Sequence, residues 1–396
     1  MIDLDQISRD YQELNGTTTE TWSRPPSELE FSRLVHIGRP VLFLSDVQDI
    51  VALSKWQSDE YLLNKLADSE LSVAFTPDGR ADALVHASNG TTYFAEPHTQ
   101  KLTIGQLLSR LDHANNPSSA NLKVDPHPAP RMSMYTHGSG DPDQSDAAIS
   151  QCASTSEVCY LQSQNGNLYD PQNPASPKSE MEALKDDVPM DVPWATQALG
   201  HPPDAVNIWI GDHRSKTSVH SDPYENLYTV VRGTKHFTLF PPTEGHLLSE
   251  RLYPRAIYTR HSPDGPLVLT PLAPNPRKTG QTSETNNVDI EGDADECSDS
   301  MNSVEENMIF WASADTTAPI PGTRPIHVRV HAGETLYLPS GRSFRHGSFS
   351  LRLRSKRRSR RHNCHMQYVY RMVACRCAGG RRGGWERRGN RCELVV

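Results

Sequence analysis

The sequence predicts a mainly β fold, an antiparallel barrel or jelly roll with peripheral helices, and three observations carry that expectation. Strand-length apolar runs recur between residues 205 and 340, short glycine-containing turns join them, and no long helical segment separates them as a parallel sheet would require. With 396 residues the chain is long enough for one large domain with insertions or for two ordinary ones, and either buries a proper core.

The elements follow in order. Pro25-Pro26-Ser27-Glu28-Leu29-Glu30-Phe31 offers a serine N-cap ahead of a helix, and Arg39-Pro40-Val41-Leu42-Phe43-Leu44 is an apolar run of strand length. Ser54 to Leu66 carries apolar residues at helical spacing, and Leu71-Ser72-Val73-Ala74-Phe75 alternates before the turn Pro77-Asp78-Gly79. From about 115 to 187 the chain is rich in Pro, Ser, Asn and Gln. It holds too little apolar surface to offset ordering entropy, and most of it reads as a loop insertion. A second, acidic insertion spans about 274–307. Between the two, Asn207-Ile208-Trp209-Ile210-Gly211 is a strand. Residues 228–231, Arg232-Gly233 and residues 236–240 before Pro241-Pro242 read as a β-hairpin with a proline stop. Residues 327–330, Ala332-Gly333-Glu334 and 336–339 repeat that strand-turn-strand form.

The net charge of −8 averages two unlike pieces. Residues 341–396 hold 16 Lys+Arg against 2 Asp+Glu, which leaves 24 against 46 for residues 1–340. Cys364, Cys375, Cys377 and Cys392 also fall in the last segment, leaving three of the 7 cysteines for the rest. A disulfide-stapled miniprotein is excluded by length, no CxxC occurs, and free thiols in a reducing compartment are expected. No apolar run approaches the ~18 residues of a membrane span, and Met1-Ile2-Asp3-Leu4-Asp5 is acidic where a secretory leader is basic. The expected location is the cytoplasm, with the nucleus as a second.

His220-Ser221-Asp222 is the centre of chemical interest. On an extended chain, residues two apart share a face, so an imidazole nitrogen and a carboxylate oxygen can reach one ion. With a distant third histidine such a pair makes the facial triad of non-haem Fe(II) oxygenases. Alone the motif is weak, because 17 histidines give roughly one HxD by chance. Its surroundings add to it. Thr217 precedes the pair, Asn226 and Tyr228 follow at even spacing, and Lys235 lies on the next strand. A buried cation with hydroxyl and amide donors suits a dicarboxylate such as 2-oxoglutarate. Each residue singly has a plainer alternative: Tyr228 as a core aromatic, Asn226 in a turn, Lys235 at a solvated strand end.

The strings Asn207–Gly211, Thr217-Ser218-Val219-His220-Ser221-Asp222-Pro223-Tyr224-Glu225-Asn226-Leu227-Tyr228 and Gly233-Thr234-Lys235-His236-Phe237, with Pro241-Pro242, resemble the JmjC oxygenases. The likeness extends to Val73-Ala74-Phe75-Thr76-Pro77-Asp78-Gly79-Arg80-Ala81-Asp82-Ala83, to Val192-Pro193-Trp194-Ala195 and to Ala332-Gly333-Glu334-Thr335-Leu336-Tyr337-Leu338-Pro339. It points to the branch described as lysyl hydroxylases with a proposed peptidase activity. The resemblance implies a double-stranded β-helix of cupin-like form over residues 1–340. It implies Fe(II) on His220 and Asp222, and 2-oxoglutarate lined by Thr217, Asn226, Tyr228 and Lys235, the lysine pairing with the distal carboxylate. It also implies oxidative decarboxylation of that co-substrate coupled to hydroxylation of a protein lysine. The implied partners are O2, a protein or peptide carrying a lysine, and a second copy of the chain in a homodimer. A membrane is not among them. The acidic body suits a cationic peptide.

The resemblance stops after Pro339. The third iron ligand of the family falls five residues on, where this chain has Phe344, and His346 comes two residues late. The expected tryptophans are absent and the closing barrel strands are not recognisable, so they are expected to be missing or replaced. Three readings of 341–396 follow: a shifted frame or retained intron, giving a disordered basic tail; a genuine arm for nucleic acid with Tyr368, Tyr370 and Trp385 for stacking; or a metal site from His362, Cys364, His365, Cys375, Cys377 and Cys392. With two protein ligands, the expected function is a protein hydroxylase with impaired iron binding. The alternatives are a non-catalytic cupin-like binding protein and a peptidase.

Overall fold

A computed structural model describes residues 3–44, 50–115, 157–162, 168, 179–262, 265–272, 307–314, 318–349 and 365–372. The first elements are α1 (Leu4–Asn15), β1 (Glu20–Trp22), α2 (Glu28–Ile37), β2 (Val41–Phe43), α3 (Val51–Lys55) and α4 (Asp59–Lys65). There follow β3 (Leu71–Thr76), β4 (Arg80–Ala81), β5 (Ala83–His86), β6 (Thr92–Glu96), β7 (His98–Leu102), α5 (Ile104–Asn115) and β8 (Val158–Gln162). After α6 (Pro193–Leu199) come β9 (Ala205–Gly211), β10 (Lys216–Thr217), β11 (His220–Ser221), β12 (Glu225–Arg232) and β13 (Thr234–Leu239). The remaining strands are β14 (Glu250–Thr259), β15 (Val268–Pro271), β16 (Met308–Ala312), β17 (Ile326–His331), β18 (Thr335–Leu338), β19 (Ser343–Phe349) and β20 (His365–Met372).

Local chemistry sets the helix ends. Ser27 and Glu30 form a reciprocal capping box at the start of α2. The helical run expected over Ser54 to Leu66 is broken at Trp56, and Ser58 Oγ accepts from the Tyr61 amide at 3.2 Å to start α4 afresh.

The strands form a mainly β fold. The largest sheet has the order β1-β2-β18-β12-β20-β9-β8-β3-β7, and a second has β17-β13-β19-β10-β4, with β11 paired to β19. A third, outer sheet runs β15-β14-β6-β5, with β16 on β14. The two expected hairpins are corrected here. β12 pairs with β18 and β20 while β13 pairs with β17 and β19, so the turn at Gly233 carries the chain from one sheet to the other. The turn at Gly333, between β17 and β18, does the same. Both glycines have φ near +85° to +90°, which a side chain would resist. The two corners stack, Gly333 N bonding Val230 O at 2.8 Å and Ala332 N bonding Gly233 O at 3.1 Å. Strand-turn-strand patterning reads identically for a hairpin and for such an arch, which is why sequence alone picked the hairpin.

Alternation then divides the core. On β12, Leu227 and Val231 pack beneath the helices with Phe31, Trp56 and Tyr337, while Tyr228 and Val230 face the barrel interior with Phe237, Leu239, Val328, Leu336 and Leu338. A bulge between Val230 and Arg232 turns Arg232 toward the helices, where Nε bonds Trp56 O at 3.1 Å and Nη1 bonds Asp59 at 2.6 Å. Interior positions therefore include 226, 228, 235 and 237, which is what brings polar groups of the first hairpin-like segment into the barrel.

The stretch expected as a polar insertion, 115–187, supplies β8, which pairs with β3 and β9, and a short 3-10 turn at Glu182–Asp187. The second insertion lies outside the described residues except for Asn307. The tail, in which no barrel strand was readable, provides β19 to the smaller sheet and β20 between β12 and β9 in the larger. Cys364, Cys375, Cys377, Cys392, His362 and Trp385 lie outside the described residues. No helix among the described residues is long and apolar enough to cross a membrane.

Candidate functional site

His220 and Asp222 stand at the barrel mouth, on and just after β11. The Nδ1 of His220 lies 2.9 Å from the Ser218 carbonyl, an acceptor only, so Nδ1 donates there and, in the neutral ring, Nε2 is the nitrogen with the lone pair. That nitrogen sits 3.9 Å from Asp222 Oδ1. The other carboxylate oxygen accepts from Asn226 Nδ2 at 3.2 Å. Two donors of the expected pair thus converge, each oriented through its far side, in the manner of metal-ligating groups held by outer partners. The buried Oδ1 of Asn226 has no hydrogen-bond partner among the described residues, an acceptor that the apolar interior leaves unmet.

The residues expected around a co-substrate come together on neighbouring strands. Tyr228 stacks on Trp209 at 6.0 Å and meets Phe237 edge-on at 4.9 Å. Lys235 is buried on β13 with its Nζ 5.6 Å from the centre of the Tyr160 ring. Burial alone pushes its pKa from an ordinary 10.5 down to about 7, so its charge is lightly held until an anion arrives. Thr217, on β10, has a different neighbour: Oγ1 lies in hydrogen-bond contact with His346 Nδ1 at 3.2 Å.

The third donor is where the site departs from a facial triad. On β19, Phe344 is the strand partner of His220, and the two rings lie 4.6 Å apart. Phe344 therefore fills the position next to the His220–Asp222 pair. His346 is two residues further along the same face, 6.2 Å from Phe344 ring to ring and close to Tyr228 and Phe237 at 5.8 and 5.4 Å. Desolvation, then Lys235 and His220, hold its pKa well below the ordinary histidine range. It stands among the co-substrate residues and not with the metal pair. Moving it up would require a two-residue slip of about 6.6 Å, which would break the registered pairing of β19 with β13. It would also displace a phenyl group whose burial contributes about 1.5–3 kcal/mol. Among the described residues, no three His, Cys, Asp or Glu side chains gather to hold a metal ion. The donors present thus fit two positions of the Fe(II) site and not the third.

Several residues went unassigned in the sequence reading. Glu225, fully buried, accepts from Tyr337 Oη and Ser340 Oγ, each at 2.6 Å, and so fixes the turn leading into β19. Trp209 supports Tyr228. Trp311 of the outer sheet stacks on His220, and Asp82, between β4 and β5, feels its charge. Buried or stacked neighbours of this kind carry no local spacing signal; only the fold brings them in.

A family model described as "Cupin-like domain" matches residues 26–345, ending within β19. The chain is 30% identical over 340 residues to "Lysine-specific demethylase JMJ32" of Arabidopsis thaliana, covering 85% of this chain and 79% of that protein. To the human "Bifunctional peptidase and (3S)-lysyl hydroxylase JMJD7" it is 34% identical over 236 residues, covering 59% of this chain and 58% of that one. It is 28% identical over 332 residues to "JmjC domain-containing protein E" of Dictyostelium discoideum, covering 80% and 74% respectively.

Proposed function

The chain belongs to the cupin-like domain family, in its JmjC branch, and on that premise we propose that it is an Fe(II)- and 2-oxoglutarate-dependent protein hydroxylase acting on lysine, with oxidation impaired by an incomplete iron site. The observation that carries the reading is the convergence of His220 and Asp222 beside a buried lysine on the next interior strand. His220 Nε2 and an Asp222 oxygen would hold iron, which supplies O2 activation when bound. Lys235 would take the distal carboxylate of 2-oxoglutarate in a charge-assisted contact, with Tyr228 and Asn226 orienting the rest. The names of the plant and human relatives, a lysine-specific demethylase and a lysyl hydroxylase, support a protein lysine as target.

A second reading rests on Phe344. With a phenyl ring at the third donor position, the chain acts as a cupin-like binding protein that does not oxidise what it binds. Succinate formation from 2-oxoglutarate by the full chain separates the two. The hydroxylase reading predicts slow production that rises with added Fe(II) and disappears in Asp222→Ala. No succinate at any iron concentration, with 2-oxoglutarate binding retained, assigns the binding-protein reading.

A further inference from the structure

An aromatic ring of the outer sheet stacks on His220, and a carboxylate between β4 and β5 feels the same histidine. β4 pairs in parallel with β10, Ala81 opposite Thr217, so Asp82 lies at the edge of the segment that leads to His220. Its backbone is left-handed, φ +53°, which an aspartate tolerates better than most residues but still adopts at a cost. Asp82 Oδ2 accepts from Gln162 Nε2 at 2.7 Å, a neutral donor. The register Ala83 opposite Ala95 sets Asp82 beside Glu96, and Glu96 is already paired with Arg255, whose Nε lies 2.7 Å away. Asp82 has no cationic side chain in salt-bridge contact among the described residues. Withdrawal from water raises its pKa, and His220 opposes that rise while Glu96 adds to it.

The same histidine has an aromatic neighbour: Trp311 lies parallel to the His220 ring at 6.1 Å and 6°, and Phe94 meets Trp311 edge-on at 4.7 Å. Trp311 and Asp82 are each partly open to solvent. An apolar wall and a carboxylate that share His220 as neighbour fit an amphipathic side chain, methylenes along the ring and a charged head at the acid.

We propose that Asp82, with Trp311 and Phe94, is the receptor for the primary ammonium side chain of the substrate, holding a lysine with its methylenes alongside His220. The inference deepens the hydroxylase reading but concerns binding, and it holds equally for a chain that binds without oxidising.

The test uses the full chain and two small probes, Nα-acetyl-lysine methylamide and its norleucine analogue, with binding followed by saturation-transfer NMR. The wild-type protein should prefer the lysine probe by about tenfold, the scale of a charge-assisted contact. Asp82→Asn keeps shape and the left-handed backbone and should bring the two probes to near parity. Trp311→Leu should weaken both. Equal binding of the two probes by the wild-type chain, or a lysine preference that survives Asp82→Asn in a protein with an unchanged melting temperature, overturns the proposal. The wild-type comparison needs no variant to fold. Binding of 2-oxoglutarate, measured in the same samples, tests the hydroxylase reading separately: its absence would sink that reading and leave the lysine preference standing or falling on its own.

Discussion

The segment β12–β13 and the strand β19 line the same cavity from two sides, and they differ in how well their interior residues answer one another. On the first side Asn226 braces Asp222, Tyr228 stacks on Trp209, and Lys235 waits uncharged-to-charged near neutrality. On the second, the interior side chains are a phenyl ring at the metal pair and an imidazole among the co-substrate residues. Just before them Arg342 is buried with only its Nη2 bonded, to Tyr11 Oη at 2.9 Å and Gly38 O at 3.5 Å, while Nε and Nη1 lack partners among the described residues. A buried guanidinium left half-satisfied costs stability where an apolar residue would not. The comparison teaches that the barrel body is built to receive a closing strand of different chemistry from the one this chain supplies.

That contrast can be broken or sharpened by substitution. The strongest loss falls at Lys235: Lys235→Ala should weaken 2-oxoglutarate binding by roughly 30- to 5,000-fold, the range for losing one partner of a buried charge contact, as read by calorimetry. On the opposite side, Arg342→Leu should raise stability, by about 1–4 kcal/mol if the pocket closes on it, seen as a higher melting temperature. A loss of stability would mean that Arg342 is satisfied after all.

A pH series follows from Lys235. Its ammonium is present below about 7 and lost above it. Affinity for 2-oxoglutarate should therefore be greatest on the acid side and fall by roughly tenfold per unit above about 7. In the unbound protein the sign for stability is the reverse. The unfolded chain keeps that proton up to about 10.5 and the folded one sheds it from about 7, so this group's contribution to stability rises with pH through the window. The smallest effect expected is at His346. His346→Ala releases the Thr217 hydroxyl and clears a ring from the co-substrate residues, and should improve 2-oxoglutarate affinity by about threefold, one hydrogen bond's worth.

Much of the first side was legible in sequence. Even spacing put Asn226 and Tyr228 on one face, and the HxD pair and Lys235, singled out by their residue types, converge at the mouth and lie buried in the barrel respectively. What escaped was long-range. A glycine turn between two strands does not disclose whether it folds a hairpin or crosses between sheets, and at Gly233 and Gly333 it crosses. Nor could β20 be found in a basic segment, since its pairing with β9 and β12 depends on backbone groups that any sequence possesses. Asp82 and Trp311 come to His220 from far away in the chain, and nothing in their own neighbourhoods announces it.

Phe344 alone keeps the His220–Asp222 pair from being a three-donor site. Titrating Co(II) into the wild-type chain and into Phe344→His, with the d–d absorption as readout, tests it directly. The substituted chain should gain affinity by more than the roughly 10–100-fold that an outer-shell partner commands, and should show the bands of a nitrogen- and oxygen-ligated ion. Equal cobalt affinity in the two proteins would contradict the claim.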